Sequence, residues 1–406
     1  LVIIPAIAAW GGGRTEPLYP EAEQLIRDMT ASQIWTRYVR YIGAGAVASG
    51  GLLTLIRSLP TMIASFRIGA REMRERMAGT GRIDVLRTQR DLPLRTVFLG
   101  VGFLALVVAS VPHLLGQTET ALVRVAAAVL IALFAFFFVT VSSRIVGLVG
   151  VTSNPTSGMT IAALLGTSGI FYLMGWTDEV GKAAVLMIGT VVCVATSIAG
   201  DTSQDLKTGF LLGATPRKQQ IGELVGVITS ATFVCLTLLF LNRAYSFGSS
   251  ELPAPQATLM KLVIEGVLDA ALPWTLVGIG VGLAIIAELM RIPTLPFAVG
   301  VYLPVSTMVP IFLGGFLRRF LQRRAATPED AELRRERGVL FGSGLVGGEG
   351  LVGVLIAGIV VIQRALGHQP WSLGPEWAGP FQKLIGLALL ALLLWLITRA
   401  ATSREK

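Results

Sequence analysis

Histidine and cysteine are close to absent: the 406 residues hold two of each. Cys193 and Cys235 both lie inside apolar runs, so they read as small buried hydrophobes and form no disulfide framework. His113 and His368 cannot furnish a histidine-rich centre, and no metal ligand or cofactor is assigned. Charge is scarce too. Asp, Glu, Lys and Arg make up 15% of the chain, against roughly a quarter in soluble globular domains, which excludes that class. A Gly-x-Ser-x-Gly elbow, a His-Glu-x-x-His pair and a Walker A lysine sequence are missing, and with them the enzymes built on those motifs. Gly200-Asp201 matches two residues of a membrane aspartyl protease motif, but Ile198 stands where that motif has glycine, and no Tyr-Asp pair occurs elsewhere. An intramembrane hydrolase is therefore a distant alternative, and the chain is not read as an enzyme.

Apolar sequence is what the chain has in abundance. It is 53% hydrophobic, with a mean hydropathy of +0.69. At roughly 20 apolar residues per crossing, about nine or ten membrane segments are predicted. The expected fold is all-α: one polytopic integral membrane helical bundle over 1–406, with broken and re-entrant helices. The formal charge of +9 concentrates beside helix ends, with Arg71, Arg74, Arg76, Arg82, Arg87 and Arg90 in one group and Arg319, Arg323, Arg324, Arg334 and Arg335 in another. Basic loops of this kind, near 67–93 and 318–337, mark a cytoplasmic face, and Arg399, Arg404 and Lys406 put the C-terminus on the same side. That clustering explains the basic balance by topology, so nucleic acid is not a partner; the lipid bilayer is.

The chain opens on ten apolar residues ending at Trp10, about half a crossing, and has no initiator methionine, so the parent protein is expected to extend upstream. The first complete span, 34–55, carries Gly43, Ala44, Gly45, Ala46, Ala48, Ser49, Gly50 and Gly51. Small residues let backbones approach closely, and these suit an internal interface or a homo-oligomer face equally well. Residues 259–271 have the helical spacing of Leu259, Leu262, Val263, Gly266 and Val267, together with Lys261, Glu265 and Asp269, and are expected at the membrane interface. Charge parity requires 296–317, with Pro296, Pro304 and Pro310, to dip in and return as a re-entrant hairpin.

Two apolar stretches are interrupted by polar residues that lipid does not accept. One break reads Ser153-Asn154-Pro155-Thr156-Ser157-Gly158-Met159-Thr160; the other runs from Gly200 to Lys218. Non-helical backbone and carboxylates at membrane depth survive only where protein buries them or a water-filled cavity accepts them. Discontinuous helices of that kind build the sites of secondary transporters, which makes a transporter the leading reading. Asp201 and Asp205 are four apart and would share a helix face beside Gln204. Two carboxylates so close repel, an arrangement that a proton relieves, as proton coupling needs. Lys207 is a partner for a substrate carboxylate or for an aspartate. The competing reading, favoured by the nearby Arg217 and Lys218, is a solvated loop. Asn154, Ser157, Thr160, Gln204 and Thr208 offer amide and hydroxyl groups suited to peptide or carboxylate recognition. Against this, membrane Ser and Thr often bond their own backbone. In the glycine-rich run 341–353 a single carboxylate, Glu349, would cost about 2.5–3.5 kcal/mol in lipid, so it should face a substrate cavity, a proton path or a paired cation such as Arg144. Glu223 and Glu288, near helix ends, are weaker candidates.

The run Gly200-Asp201-Thr202-Ser203-Gln204-Asp205-Leu206-Lys207-Thr208-Gly209, continuing through Leu212-Gly213-Ala214-Thr215-Pro216-Arg217-Lys218-Gln219-Gln220, resembles the oligopeptide transporter superfamily, in its bacterial and yellow-stripe-like branch. Arg40-Tyr41-Ile42-Gly43-Ala44-Gly45-Ala46, Thr152-Ser153-Asn154-Pro155 and Gly344-Leu345-Val346-Gly347-Gly348-Glu349-Gly350 support the likeness over nearly all of the chain. The resemblance implies a many-helix secondary carrier in a bacterial inner membrane, importing small peptides with protons. The alternative it carries is transport of metal–chelate complexes, siderophore- or nicotianamine-like, in which the chelator and not the protein holds the metal. It also implies a longer parent. The Lys-Ile-Pro-Pro-Arg signature of the eukaryotic peptide-transporting branch has no clear match here.

Overall fold

The computed structural model describes residues 2–77, 86–115, 120–149, 154, 156–249, 252, 254–269, 273–368 and 379–403. Among these residues the chain is almost wholly helical and contains no strand. In order the α-helices are α1 (Ile3–Gly11), α2 (Ala31–Ile34), α3 (Arg40–Met77), α4 (Leu94–Ser110), α5 (Ala121–Val149), α6 (Thr156–Leu173), α7 (Glu179–Leu211), α8 (Pro216–Ala244), α9 (Pro255–Leu268), α10 (Trp274–Leu289), α11 (Thr294–Tyr302), α12 (Val305–Arg323), α13 (Pro328–Ala365) and α14 (Gln382–Thr402). Among the described residues six helices are long and apolar enough to cross a membrane, α5, α6, α7, α8, α13 and the segment containing α14, with α4 and α10 shorter but apolar. The chain forms an all-α polytopic membrane protein.

The helices divide into two compact units, one of residues 1–228 and 255–303, the other of 229–254 and 304–406. In the first unit α3 packs on α10, α11 and α6, while α6 packs on α7 and α9 and α5 on α4 and α7. Glycine makes these contacts possible. A Cβ on Gly45 would strike the Val277 carbonyl, one on Gly280 the Ile42 carbonyl, and one on Gly43 the Tyr302 backbone, so the α3 backbone lies directly against α10 and α11. The small-residue run of the first span is thus an internal interface. Phe138, Val141, Leu164, Phe171, Val185, Ile188 and Val192 fill the core between α5, α6 and α7. Asp178 caps α7 by accepting the Gly181 N–H at 2.8 Å. Lys182 bridges Glu179 and Asp269, each at 2.8 Å, tying the start of α7 to the end of α9.

Several expectations change. The polar block 200–209 does not interrupt its helix: α7 runs through it to Leu211, and the break is the four-residue turn 212–215. Its residues keep their backbone hydrogen bonds inside the helix, so the turn is left to Gly213 at φ +72. Residues 255–268 form a helix as expected, and one face of it, with Leu259, Leu262, Val263, Ile264 and Leu268, is buried against the first unit. The basic stretch near 67–93 is half helix, since α3 continues to Met77, and the one near 318–337 reduces to a short link between α12 and α13. There Thr327 caps α13 through the Asp330 N–H at 3.1 Å, with Pro328 in the first turn. The 296–317 segment is two helices, α11 and α12, separated at Leu303 and Pro304. Ser153 and Pro155 of the first break, and Arg82, fall outside the described residues. Glu288 pairs with Arg57 and accepts from the Thr294 hydroxyl, so it holds α10 to its neighbours. In the second unit α12, α13 and α14 pack on one another, and Ala357 and Val360 pack on Ala244.

The glycine contacts give a direct check. Gly280→Ala places a methyl on the Ile42 carbonyl and should cost about 1–3 kcal/mol by overpacking. Gly278→Ala on the same helix meets nothing within 4 Å and should be neutral or stabilising. Thermal unfolding of the two variants in one detergent measures the difference; equal midpoints would contradict the packing.

Candidate functional site

The first unit brings both polar blocks to one place, where α5, the start of α6, α7 and the first turns of α8 meet. The Ser142 hydroxyl on α5 donates to the Thr196 carbonyl at 2.6 Å and sits 3.1 Å from Asn154 Oδ1. Asn154 Nδ2 donates to the same carbonyl at 3.4 Å. Further along, the Ser143 hydroxyl donates to the Ala199 carbonyl at 3.3 Å and the Ser203 hydroxyl to the Ser143 carbonyl at 2.7 Å. Lys207 Nζ reaches the Gly147 carbonyl at 3.3 Å. The partners advance together along both helices, so α5 and α7 run parallel and are joined by a polar ladder. Ser142 and Thr196 are fully buried. Burial of such groups is tolerable only when they are hydrogen-bonded, and each is.

Asn154 stands just before α6 yet beside Ser142, about two turns before the end of α5. A Cβ on Gly200 would come 2.7 Å from Asn154 Nδ2 and 3.1 Å from Val146 Cγ2, so a larger residue there would displace the asparagine. Thr156, Ser157 and Gly158 form the first turn of α6, where unpaired N–H groups and the helix dipole favour negative charge.

Helix α7 presents two polar strips. Thr196, Gly200, Ser203 and Lys207, at steps of four, three and four, face α5. Asp201, Gln204, Asp205 and Thr208 lie on the adjacent face and are exposed. Asp201 and Asp205 thus share a face, one turn apart, as their spacing requires. The start of α8 closes on this strip: Gln219 Nε2 donates to the Asp205 carbonyl at 3.1 Å, and Gly209 gives Gln219 room. Glu223 lies near Thr202 and Asp205. One carboxylate oxygen of Glu223 and the Gln219 amide oxygen are buried with no hydrogen-bond partner among the described residues.

Asn154, Ser157, Asp201, Gln204, Asp205, Lys207 and Thr208 are therefore assembled in one unit. Thr160 is there as well; it is buried, and its hydroxyl bonds back to the Thr156 carbonyl of its own helix at 2.8 Å. The Thr208 hydroxyl also bonds back, to the Gln204 carbonyl at 3.0 Å, while staying exposed. Glu349 lies on α13 in the second unit and is exposed. Among the described residues no group of three His, Cys, Asp or Glu side chains is placed to hold a metal. The sequence reading did not single out Ser142, Ser143, Thr196 or Ser203. The stripe Thr196, Gly200, Ser203, Lys207 is visible in the sequence once α7 is drawn through the polar block, whereas its pairing with α5 is a long-range contact that spacing does not reveal.

Residues 1–360 match the family model described as OPT oligopeptide transporter protein. A Haemophilus influenzae protein named "Putative oligopeptide transporter" is 29% identical over 96% of this chain and 69% of its own length. An iron-phytosiderophore transporter of Oryza sativa is 31% identical over 37% of this chain and 24% of its own length. A metal-nicotianamine transporter of Arabidopsis thaliana is 26% identical over 45% of this chain and 29% of its own length. No solved structure matches.

Removal of the Asn154 amide by Asn154→Ala deletes its contact with the Ser142 hydroxyl and its donation to the Thr196 carbonyl, and should lower stability by about 0.5–1.5 kcal/mol. Ser157→Ala, at an exposed first-turn position, should leave stability within about 0.5 kcal/mol. Denaturation of both variants tests this; a silent Asn154→Ala would mean the knot is not formed.

Proposed function

Because the chain belongs to the OPT oligopeptide transporter family, matching its model over residues 1–360, we propose that it carries out secondary active transport of oligopeptides coupled to protons. The observation that supports this reading is the start of α6, which Asn154 holds to α7 at Thr196 and Gly200, on the helix that also carries the exposed polar strip. A helix that begins inside the bundle presents N–H groups and a positive dipole end, the device that receives an anionic substrate group. In the same unit α7 carries two carboxylates, an amide and a hydroxyl on its exposed strip, with Lys207 on the strip that faces α5. Asn154 and Ser157 would contact the substrate together with Gln204 and Thr208, and Lys207 would pair with its carboxylate. Asp201 and Asp205 would exchange the coupling proton, with Glu349 of α13 as a second coupling or contact residue.

Depth is consistent with this. Gly200 to Leu211 is about 16 Å of helix at about 1.5 Å per residue, roughly half the hydrocarbon thickness. With the basic turn after α7 at the headgroups, the polar block would lie near mid-membrane. The second reading, a carrier of metal–chelate complexes, is favoured by the plant relatives and uses the same polar strip.

Uptake of a labelled di- to tetrapeptide pool into proteoliposomes, with and without an inward proton gradient, tests the proposal. Gradient-driven accumulation is expected. Asp205→Asn should abolish the gradient dependence, and Glu349→Gln should weaken it. Failure of every peptide with uptake of a nicotianamine–iron complex would move the assignment to chelates, and failure of both would remove transport by this strip.

A further inference from the structure

A strap lies across the turn between α7 and α8. Arg87 donates from Nη1 to Thr215 Oγ1 at 2.7 Å and from Nη2 to the Gly213 carbonyl at 2.9 Å. The Arg217 N–H donates to the Arg90 carbonyl at 2.8 Å. The Leu92 N–H donates to Gln220 Oε1 at 2.8 Å, and Gln220 Nε2 donates to Asp91 Oδ1 at 3.4 Å. Two segments far apart in sequence are thereby docked at several points, and the docking gathers their charge. Arg87, Arg90 and Arg95 come from the strap side and Arg217 and Lys218 from α8, all of them exposed. Across 86–95 and 210–220 the sequence contains one acidic residue, Asp91.

Directly against this basic turn lies exposed apolar surface. Phe210 is 65% exposed, Leu211 73% and Leu212 81%, and Ile221, Leu224 and Val225 continue the band along α8. An apolar band that ends abruptly in arginine and lysine has the form of a membrane boundary facing negative charge. Asp91, the one carboxylate of these two segments, already accepts from Gln220.

We propose that the strapped α7–α8 turn binds the headgroups of anionic phospholipids, so that a negatively charged leaflet seats the hairpin carrying the polar strip. Arg95, Arg217 and Lys218 contact the headgroup phosphates, for which guanidinium and ammonium groups are suited donors. Arg87, whose two Nη groups are engaged by the turn, is a positioning residue that keeps the strap's arginines there. The proposal depends on the membrane assignment and not on which substrate is carried.

The test is cross-linking of the full chain in bilayers to phosphatidylglycerol or phosphatidylcholine bearing the same photoactivatable headgroup, with the labelled peptides mapped by mass spectrometry. Phosphatidylglycerol should label residues 86–95 and 210–220 well above phosphatidylcholine. A triple variant, Arg95→Gln with Arg217→Gln and Lys218→Gln, should lower that ratio by on the order of tenfold or more, since each basic residue near an anionic surface contributes about fivefold. Labelling near the end of α12 serves as the internal control and should not change. Arg95→Lys with Arg217→Lys should keep the ratio. An equal ratio in the wild type and the triple variant would overturn the proposal. So would loss of wild-type labelling on adding inorganic phosphate, which would identify a site for soluble anions.

Discussion

Inside a bilayer no water is available to satisfy a stray polar group, so the protein must supply every partner itself. The Ser142 hydroxyl, the Thr196 carbonyl and the Asn154 amide answer that constraint at one level of the bundle. Because Asn154 is satisfied there, α6 can start beside the buried polar groups of α5 and α7. Because Gly200 has no side chain, the asparagine can approach α7 at that level. The knot fixes the residue that precedes α6 beside the polar face of α7.

The same helix connects the knot to the rest. One face of α7 is consumed by the ladder to α5, which fixes the direction of the other, and the other carries Asp201, Gln204, Asp205 and Thr208. Its start is bound to α9 through Lys182, and its end is bound through the turn to the strap at Arg87. Behind it the glycine contacts between α3, α10 and α11 form a frame in which backbone meets backbone.

Much of this was legible in the sequence. Low charge, apolar runs and small-residue stripes fixed the helical membrane class, and the spacing of Asp201 and Asp205 put them on one face. The character of the polar block misled: Asp201 to Thr208 contains neither proline nor a glycine run, and its side chains are compatible with a helix that has a polar face. Gly213, with Pro216 three residues on, was the better marker of the turn. Burial of 255–268 was hidden because Lys261, Glu265 and Asp269 gave that helix a polar appearance, although Lys261 pairs with Glu265 and Asp269 with Lys182. The ladder from Ser142 and Ser143 was illegible for another reason: it joins residues more than fifty positions apart, and neither serine differs in its own neighbourhood from a serine that bonds its own helix.

The central claim is that the first turn of α6 opens onto the substrate path. Accessibility of a single thiol tests it most directly. With Cys193 and Cys235 replaced by serine, a Ser157→Cys variant in sealed vesicles is treated with a membrane-impermeant thiol reagent, with and without saturating peptide. The account predicts labelling that peptide slows markedly, while a thiol placed at the lipid-facing Leu211 is unaffected by peptide. Labelling of Ser157→Cys at the same rate with and without every peptide and chelate tried would contradict it.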